Sequence, residues 1–237
     1  MGRATTVSDV LSRLEKHYGP QAPSWPTDPY EFLVWWHCGY PASDAACAKG
    51  WERLNQAVGT APERLLKASP AKLAAALKAG GMVPELRAER LKEIARRVQD
   101  ELAGDLRAAL AVPVAQARRL LKKFPGIADP GADRILLFGG VTPVAAVPSN
   151  GTQVLVRILF GQERENYGVN YRQAQEAIEA ETPRTLEARQ RAYLLLKRHG
   201  QDICKRAKPR CEQCPVNQSC AYFAGHRRGV TPRRQSG

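Results

Sequence analysis

Cys204-Lys205-Arg206-Ala207-Lys208-Pro209-Arg210-Cys211-Glu212-Gln213-Cys214-Pro215-Val216-Asn217-Gln218-Ser219-Cys220 sets four cysteines in the spacing Cys-x6-Cys-x2-Cys-x5-Cys. Four thiolates on one short loop can converge on a single centre, and a set of four cysteines is the usual ligation of a [4Fe-4S] cluster. Tetrahedral zinc accepts the same ligands, so the spacing alone leaves iron–sulfur and zinc both open. Disulfides suit the pattern less, because they persist in oxidising compartments. Residues 1–19 carry polar and charged side chains at helical spacing and no apolar signal core, which predicts a reducing cytoplasm. Cys38 and Cys47 then read as buried core thiols.

The chain has 237 residues, enough for one large domain or two small ones. No run approaches the apolar length that spans a bilayer, so no membrane association is expected. Lys plus Arg number 36 against 23 Asp plus Glu, a net charge of +13. Clusters at Arg118, Arg119, Lys122 and Lys123 and at Lys205, Arg206, Lys208 and Arg210 concentrate that charge. Such a field draws polyanions and makes association with phosphate fast and salt-sensitive, although solvated helix faces have the same composition.

Working back from the cysteines, nearly every segment has a helical period. Val7, Val10, Leu11 and Leu14 share one face of a helix that stops at Gly19-Pro20. Asp28-Pro29 caps a segment through Phe32, Leu33, Val34, Trp35 and Trp36, apolar almost all round and so central. Ser43-Asp44, Ala61-Pro62, Ser69-Pro70, Pro84 and Pro113 each open another helix. The one from Pro84 is expected to reach Val98 or run on to Leu110. No segment alternates long enough for a sheet, and no repeat is visible. The predicted class is all-α, with residues 225–237 as a disordered basic tail.

The segment Lys122-Lys123-Phe124-Pro125-Gly126-Ile127-Ala128-Asp129-Pro130-Gly131 ends one helix and starts the next. A Gly-containing turn feeding a helix N-terminus points backbone N–H groups outward, as a phosphate requires. An ordinary two-helix connection has the same appearance. Asp129 reads as the N-cap of the second helix.

Taken together, the Pro125-Gly126-Ile127 turn between helices and His199-Gly200 leading into the four-cysteine loop resemble the endonuclease III family. These are DNA glycosylases of the helix-hairpin-helix superfamily with a C-terminal [4Fe-4S] loop. The resemblance implies two helical lobes. A six-helix lobe would span 28–146 and hold the hairpin at 113–139. A cluster lobe would combine 1–27 with 147–224. It further implies double-stranded DNA with a damaged or abasic site as partner, met by a monomer in a bacterial-type, nucleoid-associated cytoplasmic setting. Cys204, Cys211, Cys214 and Cys220 would ligate the cluster, with zinc as the alternative. Pro125, Gly126, Ile127, Ala128 and Gly131, with Lys122, Lys123, Lys205, Arg206, Lys208 and Arg210, would hold the DNA backbone. A damaged base would be flipped into a pocket between the lobes, because its glycosidic bond is shielded inside the stack.

The departures from that family define the expected chemistry. The lysine that bifunctional members carry four residues after the Pro-Gly glycine falls on Pro130, which has no amine to form a Schiff base. The expected aspartate at the start of a later helix falls on Pro148, followed by Ser149 and Asn150. Losing that carboxylate removes several kcal/mol of transition-state stabilisation. A carboxylate from elsewhere, such as Asp44, Glu163 or Glu165, is a candidate replacement. His37 occupies a pocket-lining position and is the candidate general acid; a buried histidine bonded to a backbone carbonyl is the competing reading. Trp36 and Tyr40 are candidates to stack on a flipped base, or core aromatics. The expectation is a monofunctional glycosylase, without β-lyase activity, for a labile purine or alkylated base. The alternative is a catalytically silent protein of the same fold that binds DNA structure or damage.

Overall fold

The structure, a computed structural model, describes residues 5–227 and is helical throughout, with no strand among them. In chain order the helices are α1 (Val7–Tyr18), α2 (Pro29–His37), α3 (Asp44–Ala57), α4 (Pro62–Lys67), α5 (Pro70–Leu77), α6 (Pro84–Glu101), α7 (Leu106–Ala109), α8 (Val114–Leu121), α9 (Asp129–Phe138), α10 (Ser149–Phe160), α11 (Tyr167–Glu181), α12 (Leu186–Asp202) and α13 (Ala221–Arg227). Contacts divide the chain into two units, one of residues 23–142 and one joining 1–22 to 143–237.

In the discontinuous unit, α1 starts at a reciprocal cap. The Thr6 side chain accepts from the Asp9 backbone N–H, and the Asp9 carboxylate accepts from Thr6 N–H. Its stripe of Val7, Val10, Leu11 and Leu14 packs with Leu155, Leu195 and Leu196 in one core, where burying each side chain contributes about 1.5–3 kcal/mol. That core continues to Val216 and Phe223, so the first helix and the cysteine loop rest on the same apolar mass.

In the continuous unit, Asp28 accepts from the N–H groups of Tyr30 and Glu31 with Pro29 in the first turn, and α2 buries Phe32, Leu33, Val34 and Trp35. Its last turn is met closely by other chain segments. A Cβ on Gly80 would lie 1.7 Å from the Cys38 carbonyl oxygen, so only glycine fits there. Cys38 and Cys47 are buried thiols, and burial pushes the Cys47 thiol up to about 11.

The nearer end expected for the Pro84 helix holds to within three residues, the longer one to Leu110 does not, and two other expectations are corrected. The helix from Pro84 stops at Glu101, because Ala103 (φ 52°) and Gly104 (φ 80°) both turn left-handed before Asp105 caps a separate α7. Asp129 is the first residue of α9 and Ala128 its N-cap, so the carboxylate lies inside the first turn. The tail expected from residue 225 is helical through Arg227, and residues 228–237 lie outside the described residues. No helix among the described residues is long and apolar enough to cross a membrane.

Candidate functional site: the hairpin and the cysteine loop

In the continuous unit, α8 and α9 flank a turn that Gly126 makes possible with φ 68°. Phe124 and Ile127 are buried beneath it, while Lys122, Lys123, Gly126 and Ala128 face solvent. The first-turn N–H groups of Asp129 and Gly131 have no carbonyl one turn back to bond, and Pro130 has no N–H. The two helices are clamped by Arg118, whose Nε donates to the buried Asp133 carboxylate at 2.6 Å. Arg118 is therefore a structural cation. Lys122 Nζ stands 2.8 Å from Asp129 Oδ1, so one of the two turn lysines is partly neutralised by the helix's own carboxylate.

His37 reaches this turn from α2. Its ring is fully buried, and Nε2 lies 2.9 Å from the Pro125 carbonyl oxygen. A carbonyl only accepts, so Nε2–H is the donor and the neutral ring presents its lone pair at Nδ1, which has no partner. Burial lowers its pKa to about 4, against the bond to Pro125, with the charges of Arg90 and Arg87 adding to the lowering. At neutral pH the one ring proton is committed to the hairpin. His37 is thus a buried histidine bonded to a backbone carbonyl, the arrangement of the competing reading.

Trp36 and Tyr40 stack with ring centroids 4.5 Å apart and 23° between planes, and Tyr40 is 36 % exposed. Behind them Arg134 is buried over the rings of Trp25 (3.9 Å) and Phe32 (4.9 Å), with Asp44 Oδ2 at 3.5 Å. Asp44 thus serves as the counter-ion of a buried guanidinium.

One exposed feature has no counterpart in the sequence reading. Met82 is 84 % exposed and Val83 54 %, on the loop before α6. Arg87, itself buried, holds this loop by donating to the carbonyls of Leu77 (3.0 Å), Gly81 (2.6 Å), Met82 (3.0 Å) and Cys38. Val83 has φ 48°, a strained value for a β-branched residue. The loop thus displays an apolar side chain on a rigid, strained support. The signal in sequence was only Gly80-Gly81-Met82-Val83, which reads as an ordinary helix stop.

In the discontinuous unit, Cys204, Cys211, Cys214 and Cys220 line one small cavity with Arg157, His199, Ile203 and Tyr222. Among the described residues no group of three or more His, Cys, Asp or Glu is drawn together so as to hold a single metal ion. The cysteines surround a cavity and do not meet at a point. Burial raises all four thiols, Cys204 to about 11 and Cys214 to about 12. Arg157, 5 % exposed, gathers the loop, donating to the carbonyls of Lys205 (2.9 Å) and Arg206 (3.0 Å) and approaching Cys204 Sγ at 3.8 Å. Gln153 Nε2 adds a bond to the Cys204 carbonyl at 2.6 Å. The side chains of Lys205, Lys208 and Arg210 are left facing solvent, while Arg206, also exposed, donates through Nε to Gln153 Oε1 at 3.2 Å. Glu163 pairs with Arg157 at 2.7 Å, so it too has a structural partner. Pro148 is buried as the N-cap of α10, Ser149 is exposed, and Asn150 Nδ2 donates to the Lys197 carbonyl at 2.9 Å.

No protein-family model matches the chain. It is 25 % identical over 208 residues to endonuclease III of Thermotoga maritima, covering 88 % of this chain and 90 % of that protein. It is 28 % identical over 162 residues to a thymine/uracil-DNA glycosylase of Methanothermobacter thermautotrophicus, covering 68 % and 67 %. Among solved structures, a non-covalent endonuclease III–DNA complex superposes with a TM-score of 0.73 at 19 % identity, covering 94 % of this chain and 99 % of that one.

Proposed function

As a divergent relative of the endonuclease III-like DNA glycosylases, with their helix-hairpin-helix fold, this chain is, we propose, a monofunctional base-excision-repair glycosylase that hydrolyses the bond to a labile purine or alkylated base. The observation that carries the reading is the pair of prolines at the helix starts. Pro130 in the first turn of α9 offers no amine and Pro148 at the start of α10 offers no carboxylate. Without the amine no Schiff base forms with the sugar, and water is the only acceptor. Without the carboxylate the enzyme favours a substrate whose leaving group departs with little help. An alkylated purine already carries the charge that a general acid would otherwise supply.

The stacked Trp36 and Tyr40 suit such a base, because aromatic faces attract cations and planar rings. Met82 suits the gap left in the duplex, where an apolar wedge offsets part of the unstacking cost. The hairpin turn and the exposed loop cations would bind backbone phosphates of duplex DNA at the damaged or abasic site.

The cysteine loop fits a [4Fe-4S] cluster. Its four cysteines line one cavity, as suits a cluster that bonds each cysteine through a separate iron; tetrahedral zinc takes the same four ligands and is the alternative. The cluster would supply a rigid, cationic tie that takes four buried thiols as thiolates. Cys204, Cys211, Cys214 and Cys220 would hold it, and Arg157 orders the basic segment between the first two. The test is release of free base from duplexes carrying 3-methyladenine, 7-methylguanine, uracil or thymine glycol. Release of the alkylated purines with intact strands is expected. Strand scission, or tight abasic-site binding with no release from any duplex, contradicts the reading; the latter is the outcome for a silent damage-binding protein.

A further inference from the structure

We infer that Tyr18 and His199 form a fixed hydrogen-bond relay to Cys214 that orients this one thiolate and protects the metal centre; the inference rests on the cluster reading above. His199 is fully buried at the end of α12. Its Nδ1 lies 3.0 Å from the Tyr18 hydroxyl on α1, and its Nε2 lies 3.4 Å from Cys214 Sγ. A neutral imidazole carries a single N–H, leaving one donor and one acceptor nitrogen for these two partners.

A free Cys214 thiol could donate to Nε2, and the chain could then run in either direction. A thiolate bound to iron has no proton to donate. Nε2–H must then be the donor to sulfur, Nδ1 becomes the acceptor, and the Tyr18 hydroxyl must donate to it. Ligation therefore sets the polarity of the whole relay, and the relay in return favours the ligating state. Outer-shell partners of this kind fix the orientation of a ligand and its hold on the metal. The relay also ties α1 to α12 across 181 positions of sequence and, through His199, to the cysteine loop, within one core. Of the four sulfurs, Cys204 instead faces the Arg157 guanidinium and Cys220 approaches the Arg157 carbonyl at 3.8 Å.

The test uses protein purified without air, with Tyr18→Phe and His199→Gln beside the wild type. Tyr30→Phe, which removes a hydroxyl bonded to the Thr60 carbonyl in the other unit, controls for general destabilisation. The readouts are the Fe–S(Cys) stretching frequencies and the rate at which absorbance near 400 nm disappears in air with EDTA. Tyr18→Phe and His199→Gln are expected to raise one stretching frequency and to speed cluster loss roughly three- to tenfold, the range one hydrogen bond covers. Tyr30→Phe is expected to change neither. Wild-type frequencies and loss rates in both relay variants overturn the relay while leaving the cluster intact. Wild-type protein without iron overturns the cluster and the relay with it.

Discussion

Nε2 of His37 and the carbonyl oxygen of Pro125 stand 2.9 Å apart, so a fully buried ring on α2 holds the hairpin turn in place. The same bond commits the one proton that a neutral imidazole carries, which makes the turn's shape sensitive to protonation of His37.

The pH dependence follows in sign. An unfolded histidine titrates near 6.5, and in the fold burial lowers His37 to about 4. Its stabilising contribution is complete above pH 6.5, is lost progressively as pH falls toward 4, and is constant below. The window spans roughly 3 kcal/mol at about 1.36 kcal/mol per unit. His37→Gln keeps an N–H donor and removes the titration. Urea unfolding at pH 7, 5.5 and 4.5 is expected to show a shallower acid loss in the variant; identical pH profiles contradict the assignment.

Asp129 holds Lys122 at 2.8 Å on the solvent side of the turn. Asp129→Asn is expected to tighten duplex binding roughly three- to tenfold at low salt and to steepen its salt dependence by about one counterion. Weaker binding, measured by fluorescence anisotropy across a salt series, counts against phosphate capture at this turn.

Replacing Lys205 or Lys208, both exposed on the loop that Arg157 orders, is expected to weaken binding to all duplexes alike. Each substitution by alanine lowers the salt slope by about one, as for a phosphate contact. A loss confined to one sequence or lesion contradicts a backbone role.

Met82→Ser is expected to slow base release roughly tenfold from a fully paired duplex and much less from a mismatched one, where unstacking is already cheap. Equal effects on both substrates remove Met82 from base extrusion.

Much of this was legible in the sequence, for identifiable reasons. The caps at Thr6, Asp28, Ser43 and Ser69 are local and fix where helices start. The apolar stripe of α1 fixes which face is buried. The four cysteines stand close in sequence, and the structure sets them around one cavity. What the sequence hid depends on partners far along the chain. Arg118 read only as part of a basic cluster until Asp133 received it, and Asp44 and Glu163 looked like spare carboxylates until Arg134 and Arg157 received them. Met82 carried no signal, because its exposure comes from Arg87 bonding four carbonyls around it.

Pro130 and Pro148 are the residues from which we propose hydrolysis without a lyase step. The most direct test is one reaction on a duplex with a single 3-methyladenine, split and run with and without sodium borohydride. Free 3-methyladenine, an unbroken strand with an abasic site, and no protein–DNA adduct in the borohydride half are expected. A borohydride-trapped adduct or a cut strand contradicts the proposal.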